Sequence, residues 1–381
     1  MLAAPLVARA EAAARLIRPQ ADTIERNRRL PPEAVAALVD AGIFKLLVPA
    51  QYGGAETTVA TAVAAIEAIA RADGSAGWCA MIGSTSALMS AFLPESTARA
   101  IYTPPAVITG GVFAPLGRAT LTDTGYRVSG RWPFCSGCQH TDWVMGSALV
   151  DTGDPSKPEL RSLLFRREQV EIHDTWDTSG LRGTGSHDFS VRDLEVPREH
   201  SLSLFAAPTL DAPLYRQPFF GTLAAAVAAV ALGIARNALD SLAELAAHKT
   251  PGGARKTIAH RELVQLQFAR GEAELQAARA GLFAAVDAAA AEVAEGATHG
   301  HVSLRTRALL RAAACHAATA SARTVDLAYE AGGASSIYSS SPLQRCFRDV
   351  HVATQHVMVA PASAILAGRV LLGLDGDTTT L

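Results

Sequence analysis

Residues 125–143 read GYRVSGRWPFCSGCQHTDW. Tyr126 and Val128 alternate with Arg127 and Ser129, the period of two expected of a half-buried strand. Gly130 breaks that alternation just before Trp132 and Phe134, which predicts a strand that bends where something approaches its backbone. Two aromatics beside the Ser136-Gly137-Cys138 turn predict a flat apolar wall with a hydroxyl and free amides at its edge. A wall of that kind suits a planar heteroaromatic ring, a flavin for example. The same letters also describe a bulged strand burying its aromatics in a core. The stretch alone leaves both readings open.

On either side the texture is helical. Residues 1–105 predict an N-terminal helical domain. Its helices run over Ala3–Ile17, from Pro31-Pro32 through Asp40, over Thr57–Arg71, and from Gly77-Trp78 to about Phe92. Gly42 ends the second, and Asp73-Gly74-Ser75 closes the third. Residues 106–210 predict a central β-domain, a small barrel or sandwich. Strands at Leu160–Phe165 and Ser190–Val196 are punctuated by turns at Asp123–Gly125, Asp151–Pro155 and Gly183–Gly185. Residues 211–381 predict a C-terminal bundle of four long helices, Phe219–Ala247, Ile258–Glu292, Ser303–Glu330 and Pro342–Leu372. Thr250–Ala254, His299-Gly300 and the loop from Gly332-Gly333 to Ser341 separate them. Segregated units of this kind are α+β, mostly α, rather than alternating βαβ.

The net charge of −2 offers no basic surplus for nucleic acid. Five scattered cysteines point to a reducing compartment, and Cys135-x-x-Cys138 has no second pair to complete a metal site. No metal is expected. Glu11, Arg15 and Arg18 interrupt any signal-like segment, and the most apolar run, Gly221–Ala235, is short for a bilayer and reads as a buried helix. The expectation is a soluble cytoplasmic protein with no membrane partner.

A set of motifs in fixed order carries a resemblance. They are Asp73-Gly-Ser-Ala-Gly-Trp78, Phe113-Ala-Pro-Leu-Gly117, Gly130-Arg-Trp-Pro-Phe-Cys-Ser-Gly137 and Gly180-Leu-Arg-Gly-Thr-Gly-Ser186, closed by Val196-Pro197. The run from Leu343 to His356 and Gly368-Arg369 complete the set. With them the chain resembles the acyl-CoA dehydrogenase superfamily over its full length. Within it, the chain is most similar to the two-component flavin-dependent monooxygenases of the 4-hydroxyphenylacetate and dibenzothiophene type.

That resemblance implies the site. Ser136 falls where the family hydrogen-bonds the flavin N5/O4 edge, and Phe134 where an aromatic lies against the isoalloxazine. His356 falls at the reactive face, there to hold or relay a proton as a group titrating near neutrality. His351, about 140° away around a helix, reads as structural or at a subunit contact. Arg255 matches an arginine that reaches a flavin phosphate, and Gly332-Gly333 a diglycine that approaches a neighbouring subunit's flavin. Trp78, Ser84, Ser86 and Phe113 fall around the substrate, but the histidine that phenol-hydroxylating relatives carry near Gly83–Ser86 is missing. His140 and His187 read as exposed alternatives. Where most dehydrogenases of this fold carry their catalytic glutamate stands Val357, and Phe219–Val230, the other known location, has no acid. The implied activity is an oxygenase component that takes reduced FMN or FAD from a separate flavin reductase. It forms a C4a-hydroperoxyflavin with O2 and oxygenates a small organic substrate. No G-x-G-x-x-G follows a strand, in keeping with a partner reductase. A homotetramer is implied as well. The alternatives are an FAD-dependent acyl-CoA or acyl-carrier dehydrogenase, and a non-catalytic helical scaffold.

Overall fold

The computed structural model describes residues 3–153, 159–296 and 302–381. Six helices come first: α1 (Ala3–Ile17), α2 (Ala21–Asn27), α3 (Pro32–Asp40), α4 (Val59–Ala70), α5 (Gly74–Ser86) and α6 (Glu95–Tyr102). Asp73 does not close the preceding helix as the sequence suggested. Its carboxylate accepts from the Ala76 amide at 2.8 Å and so caps the start of α5. The Asp154–Pro155 part of one expected turn and the His299-Gly300 break lie outside the described residues.

Seven strands follow: β1 (Thr109–Leu121), β2 (Gly125–Cys135), β3 (Trp143–Asp151), β4 (Glu159–Arg166), β5 (Glu171–His173), β6 (His187–Pro197) and β7 (Ser201–Leu202). They form one sheet in the order β5-β6-β2-β1-β3-β4-β7, antiparallel except for β1 with β3. The sheet rolls up. Phe165 on β4 and Phe189 on β6 stand four strand spacings apart, roughly 19 Å in a flat sheet. Their rings nevertheless lie 6.3 Å apart, with the fully buried Trp132 of β2 between them at 5.8 and 4.8 Å. The indole nitrogen donates to Ser147 O at 2.8 Å. Glycines on three strands make room for this ring: a Cβ on Gly117, Gly130 or Gly146 meets it at 2.4, 2.6 or 2.8 Å.

The strand bends near Gly130, where the β2–β6 register shifts. A second shift lies between Trp132 and Cys135 and turns Phe134 outward at φ 65°.

The C-terminal bundle comprises α7 (Phe219–His248), α8 (Glu262–Ala294), α9 (Leu304–Gly332), α10 (Pro342–Ala353) and α11 (Pro361–Leu371). Gly221–Ala235 belongs to a helix of 30 residues, long and apolar enough to cross a membrane. However, 83% of its most apolar window is buried inside the protein. Its alanine face packs against α4, α5, α9 and α10, joining the first and last helical groups in one core. The expected last helix is two, α10 and α11, joined by a turn-rich link that carries His356.

Candidate active site

The link between α10 and α11, the start of α5 and the end of β2 meet at one place. Trp78, in the second turn of α5, donates its indole N–H to Ser136 Oγ at 3.0 Å. Its ring meets His356 edge-on at 5.4 Å. Behind Ser136 a row of hydroxyls runs through Ser186 (2.6 Å) to Thr184 (2.7 Å), which donates to Leu181 O at 2.8 Å. All are buried.

The direction of this row follows from counting protons. Thr184 has one hydroxyl proton, and Leu181 O takes it. The Thr184–Ser186 bond therefore needs Ser186 to donate, and the Ser186–Ser136 bond needs Ser136 to donate. Ser136 Oγ, already accepting from Trp78, keeps one lone pair. Toward a ligand it is an acceptor.

His356 is only partly accessible. The Met358 amide donates to its Nδ1 at 3.3 Å, which places the ring's proton on Nε2. Burial pushes its pKa down to about 4, and the charge on Arg311 lowers it further in the same direction. The expected near-neutral titration is thus corrected. His356 stays neutral through the physiological range. Arg311 holds the link in place: it donates to Phe220 O (3.1 Å), Met358 Sδ (3.2 Å) and Ser363 Oγ (2.7 Å), and Ser363 in turn donates to Val357 O (2.7 Å). The guanidinium is 2% exposed, makes no ion pair with a described carboxylate, and its Nε finds no partner.

Phe113 belongs to an aromatic group that also contains Phe92, Phe219, Phe220 and Phe205, with ring separations of 5.4 to 6.4 Å. Phe134 is 67% exposed and meets Trp176 edge-on at 6.1 Å. Phe134 and Trp176 thus form an aromatic pair two residues from Ser136, whose hydroxyl turns inward to Trp78 and Ser186.

Other expected residues go elsewhere. Ser84 donates to Ile43 O, and Ser86 bonds to the carbonyl and hydroxyl of Thr109, all at 2.8 Å, so both buried hydroxyls are committed to holding α5 in place. His187 is buried, not exposed, its Nδ1 accepting from the Thr175 and Trp176 amides. His140 packs against Phe44, and burial pushes its pKa down to about 4. His351 pairs with Asp326 at 2.8 Å. Arg255 is exposed in the α7–α8 connector, and Gly332-Gly333 lie at the end of α9, tied to Lys249 by a 2.9 Å bond from its ammonium to Gly332 O. Arg311 and Gly332 are 21 residues apart on α9, roughly 30 Å. Within one chain, then, Arg255 and the diglycine stand at the opposite end of the bundle from His356. A surface groove of about 730 Å³ on the α8–α9 face, lined by Arg270, Glu274, Arg323, Asp326 and Glu330, contains none of the expected site residues.

Sequence reasoning missed Arg311 and the Phe219-Phe220 pair. Arg311 had a signal, since it occupies an apolar-face position of α9 in series with Ala314, Cys315 and Ala318.

Residues 7–99 match the model of the acyl-CoA dehydrogenase N-terminal domain, and residues 225–361 match that of an acyl-CoA dehydrogenase C-terminal domain. An indole-3-acetate monooxygenase of Pseudomonas putida is 34% identical over 92% of this chain and 89% of its own length. The flavin-dependent monooxygenase oxygenase subunit HsaA of Mycobacterium tuberculosis is 31% identical over 95% of this chain and 94% of its own. The chain belongs to the acyl-CoA dehydrogenase superfamily, among its flavin-dependent monooxygenases. The crystal structure of HsaA superposes with a TM-score of 0.90 over the whole of both chains at 28% identity. That of XiaF from a Streptomyces species, in complex with FADH2 and glycerol, also gives 0.90, over 98% of this chain and 96% of its own, at 27% identity.

Proposed function

We propose that this protein is the oxygenase component of a two-component system, receiving reduced FMN or FAD from a separate reductase and hydroxylating a small aromatic substrate. The observation that carries the reading is the polarity of the hydroxyl row. Ser136 offers an acceptor, and N5 of a flavin bears a hydrogen only when the ring is reduced. An oxidised ring, whose N5 accepts, finds a lone pair facing it instead. Bound reduced flavin supplies the two electrons that split O2, one oxygen atom going to substrate and the other leaving as water.

The protein's own residues do the rest. Phe134 and Trp176 cover one apolar side of the ring position. His356, kept neutral, presents the Nε2 proton as a hydrogen-bond donor where negative charge develops. The aromatic group around Phe113 and Phe219 offers a planar apolar substrate contact surface and excludes water. Arg255 and Gly332-Gly333, remote within one chain, are read as serving the flavin of an adjacent copy in a homotetramer. Dehydrogenation of an acyl thioester is disfavoured, because Phe219–Val230 and the Thr354–Ala360 link contain no carboxylate to act as base.

The test is rapid mixing of the protein and reduced flavin with oxygenated buffer, followed by flavin absorbance. A delay before oxidised flavin appears, shortened in Ser136→Ala, supports the proposal. Reoxidation at the rate of free flavin overturns it.

A further inference from the structure

The Cys135-x-x-Cys138 motif takes no part in the proposed reaction, yet it encloses Ser136. The Cys138 amide donates to Cys135 O at 3.3 Å, and Gly137, the third residue of this turn, sits at φ 73°. A turn closed in this way keeps its first and fourth Cα atoms within about 7 Å, and a disulfide spans about 4.4 to 6.8 Å between Cα atoms. Both side chains are fully buried, in the same apolar cluster as Trp132 and Phe189. Their thiols bond to each other, Cys135 donating to Cys138. Among the described residues no third His, Cys, Asp or Glu joins them in a metal-binding group. What the pair offers is a dithiol.

The two thiols are unequal. The bond from Cys135 lowers the pKa of Cys138 first of all; the His187 amide and the charge of Arg167 act in the same direction, and burial opposes them. Cys135 is pushed up, by that same bond and then by burial. Arg167 is held close, its Nε donating to Cys138 O at 3.1 Å. Cys138 is therefore the nucleophile and Cys135 the thiol that resolves it. The facing turn from Leu181 to Ser186 is anchored from behind, where the Leu181 amide donates to Asp349 Oδ1 at 2.6 Å. Across the gap, the Gly137 amide donates to Thr184 O at 2.8 Å and the neutral Cys138 thiol to Gly185 O at 3.4 Å. Oxidation removes the second of these donors and closes a ring around Ser136 and Gly137. The hydroxyl that bonds Trp78 and Ser186 belongs to that enclosed pair.

We propose that Cys135 and Cys138 are a site of oxidation by hydrogen peroxide, and that closing their disulfide displaces Ser136 and weakens the binding of reduced flavin. The flavin part rests on the proposed function; the dithiol does not. Reduced flavin that meets O2 without oxygenating a substrate yields hydrogen peroxide, so the reaction itself supplies the oxidant. Cys138 Sγ attacks one peroxide oxygen: an S–O bond forms, the O–O bond breaks, and the departing hydroxide leaves as water with the thiol's proton. Cys135 Sγ then attacks the sulfenic sulfur: the S–S bond forms, the S–O bond breaks, and a second water leaves with the Cys135 proton. Two electrons pass from sulfur to peroxide, and two thiols with one peroxide give one disulfide and two waters. Cys79 of α5, whose thiol donates to Thr184 O at 3.8 Å, is the competing partner for Cys138, but burial keeps it protonated.

The experiment treats folded, flavin-free protein with excess hydrogen peroxide and counts free thiols by mass after maleimide labelling in denaturant. The wild type should fall from five labels to three, and dithiothreitol should restore all five. The lost pair should map within the single tryptic peptide that begins at Trp132; a cross-link from that peptide to the one carrying Cys79 overturns the assignment. In Cys135→Ser, dimedone should trap a sulfenic acid on Cys138, and in Cys138→Ser none should form on Cys135. Five labels surviving in the folded wild type, or a loss of two that persists in either serine variant, overturns the inference. With flavin under anaerobic conditions, the dissociation constant for reduced FMN should be about fivefold higher in the disulfide form than in the dithiol form, the effect of one lost hydrogen bond. Equal affinity in the two forms would remove the link to Ser136. A protein that binds no reduced flavin in either form overturns the proposed function, while the thiol count still decides the dithiol.

Discussion

Replacing Arg311 with methionine removes a buried charge from beside His356 while keeping most of the side-chain length. The two groups are joined through one residue: Arg311 bonds Met358 Sδ, and the Met358 amide bonds His356 Nδ1. The drop from 6.5 to about 4 is about 2.5 pH units, and Arg311 is the smaller of its two causes, so its share is about 1 pH unit, or about 1.4 kcal/mol. His356, held at about 4 mainly by burial and secondarily by Arg311, should then titrate near about 5 in Arg311→Met. Because the wild-type value lies below the ordinary 6.5, the unfolded chain takes up the proton first, and wild-type stability rises with pH from about 4 to 6.5. The variant should show a shallower rise. Loss of the bonds to Phe220 O and Ser363 Oγ costs about 1–3 kcal/mol each, and relief of an unpaired buried guanidinium offsets part of it. The assay is proton NMR of the histidine Cε1 resonances, with His356 assigned by comparison with His356→Gln. A folded Arg311→Met protein in which His356 still titrates near 4 would refute the electrostatic coupling and leave burial as the sole cause.

Three further outcomes follow from the same geometry. Trp78→Phe deletes the 3.0 Å bond to Ser136, and at about 1 kcal/mol should shorten the delay before flavin reoxidation by roughly fivefold in stopped flow. Ser84→Ala should lower stability by about 1 kcal/mol in urea titration and leave that delay unchanged, because its hydroxyl serves Ile43 O alone. Acyl thioesters should fail to bleach oxidised flavin bound to the protein under anaerobic conditions; bleaching would mean that a carboxylate base reaches the site after all.

The helices that carry α7, α8 and α9 were plain in the sequence because their apolar periodicity persists over many turns. β1 was not, since Gly110, Gly111, Pro115 and Gly117 interrupt its alternation, and pairing on both sides holds it extended. α6 was passed over as the space between Pro94 and Pro104, where its eight residues leave little room for a pattern. The place of Ser136 could be read from local letters, because a bulge and a turn are local events. The helix assignment of His356 failed at the Thr354–Ala360 link, where turns replace helical bonds without a glycine or proline to announce them before Pro361. Asp349 had no local sign at all: its partner, Leu181, lies 168 residues away. Side chains whose meaning depends on such distant partners are legible only after folding.

Trp132 and the three glycines around it have a consequence for how this sequence can vary. Four positions on β1, β2 and β3 share one volume, so adding a methyl at Gly117, Gly130 or Gly146 is an overpacking error, and shrinking the indole leaves a hole. Each change alone is harmful, yet a smaller residue at 132 combined with alanine at one glycine exchanges volume for volume. Substitution there should be strongly non-additive. Ser136 lies four residues downstream, in the turn just past the end of the same strand, so the drift permitted at its hydroxyl is set by a packing trade made in the interior of the sheet.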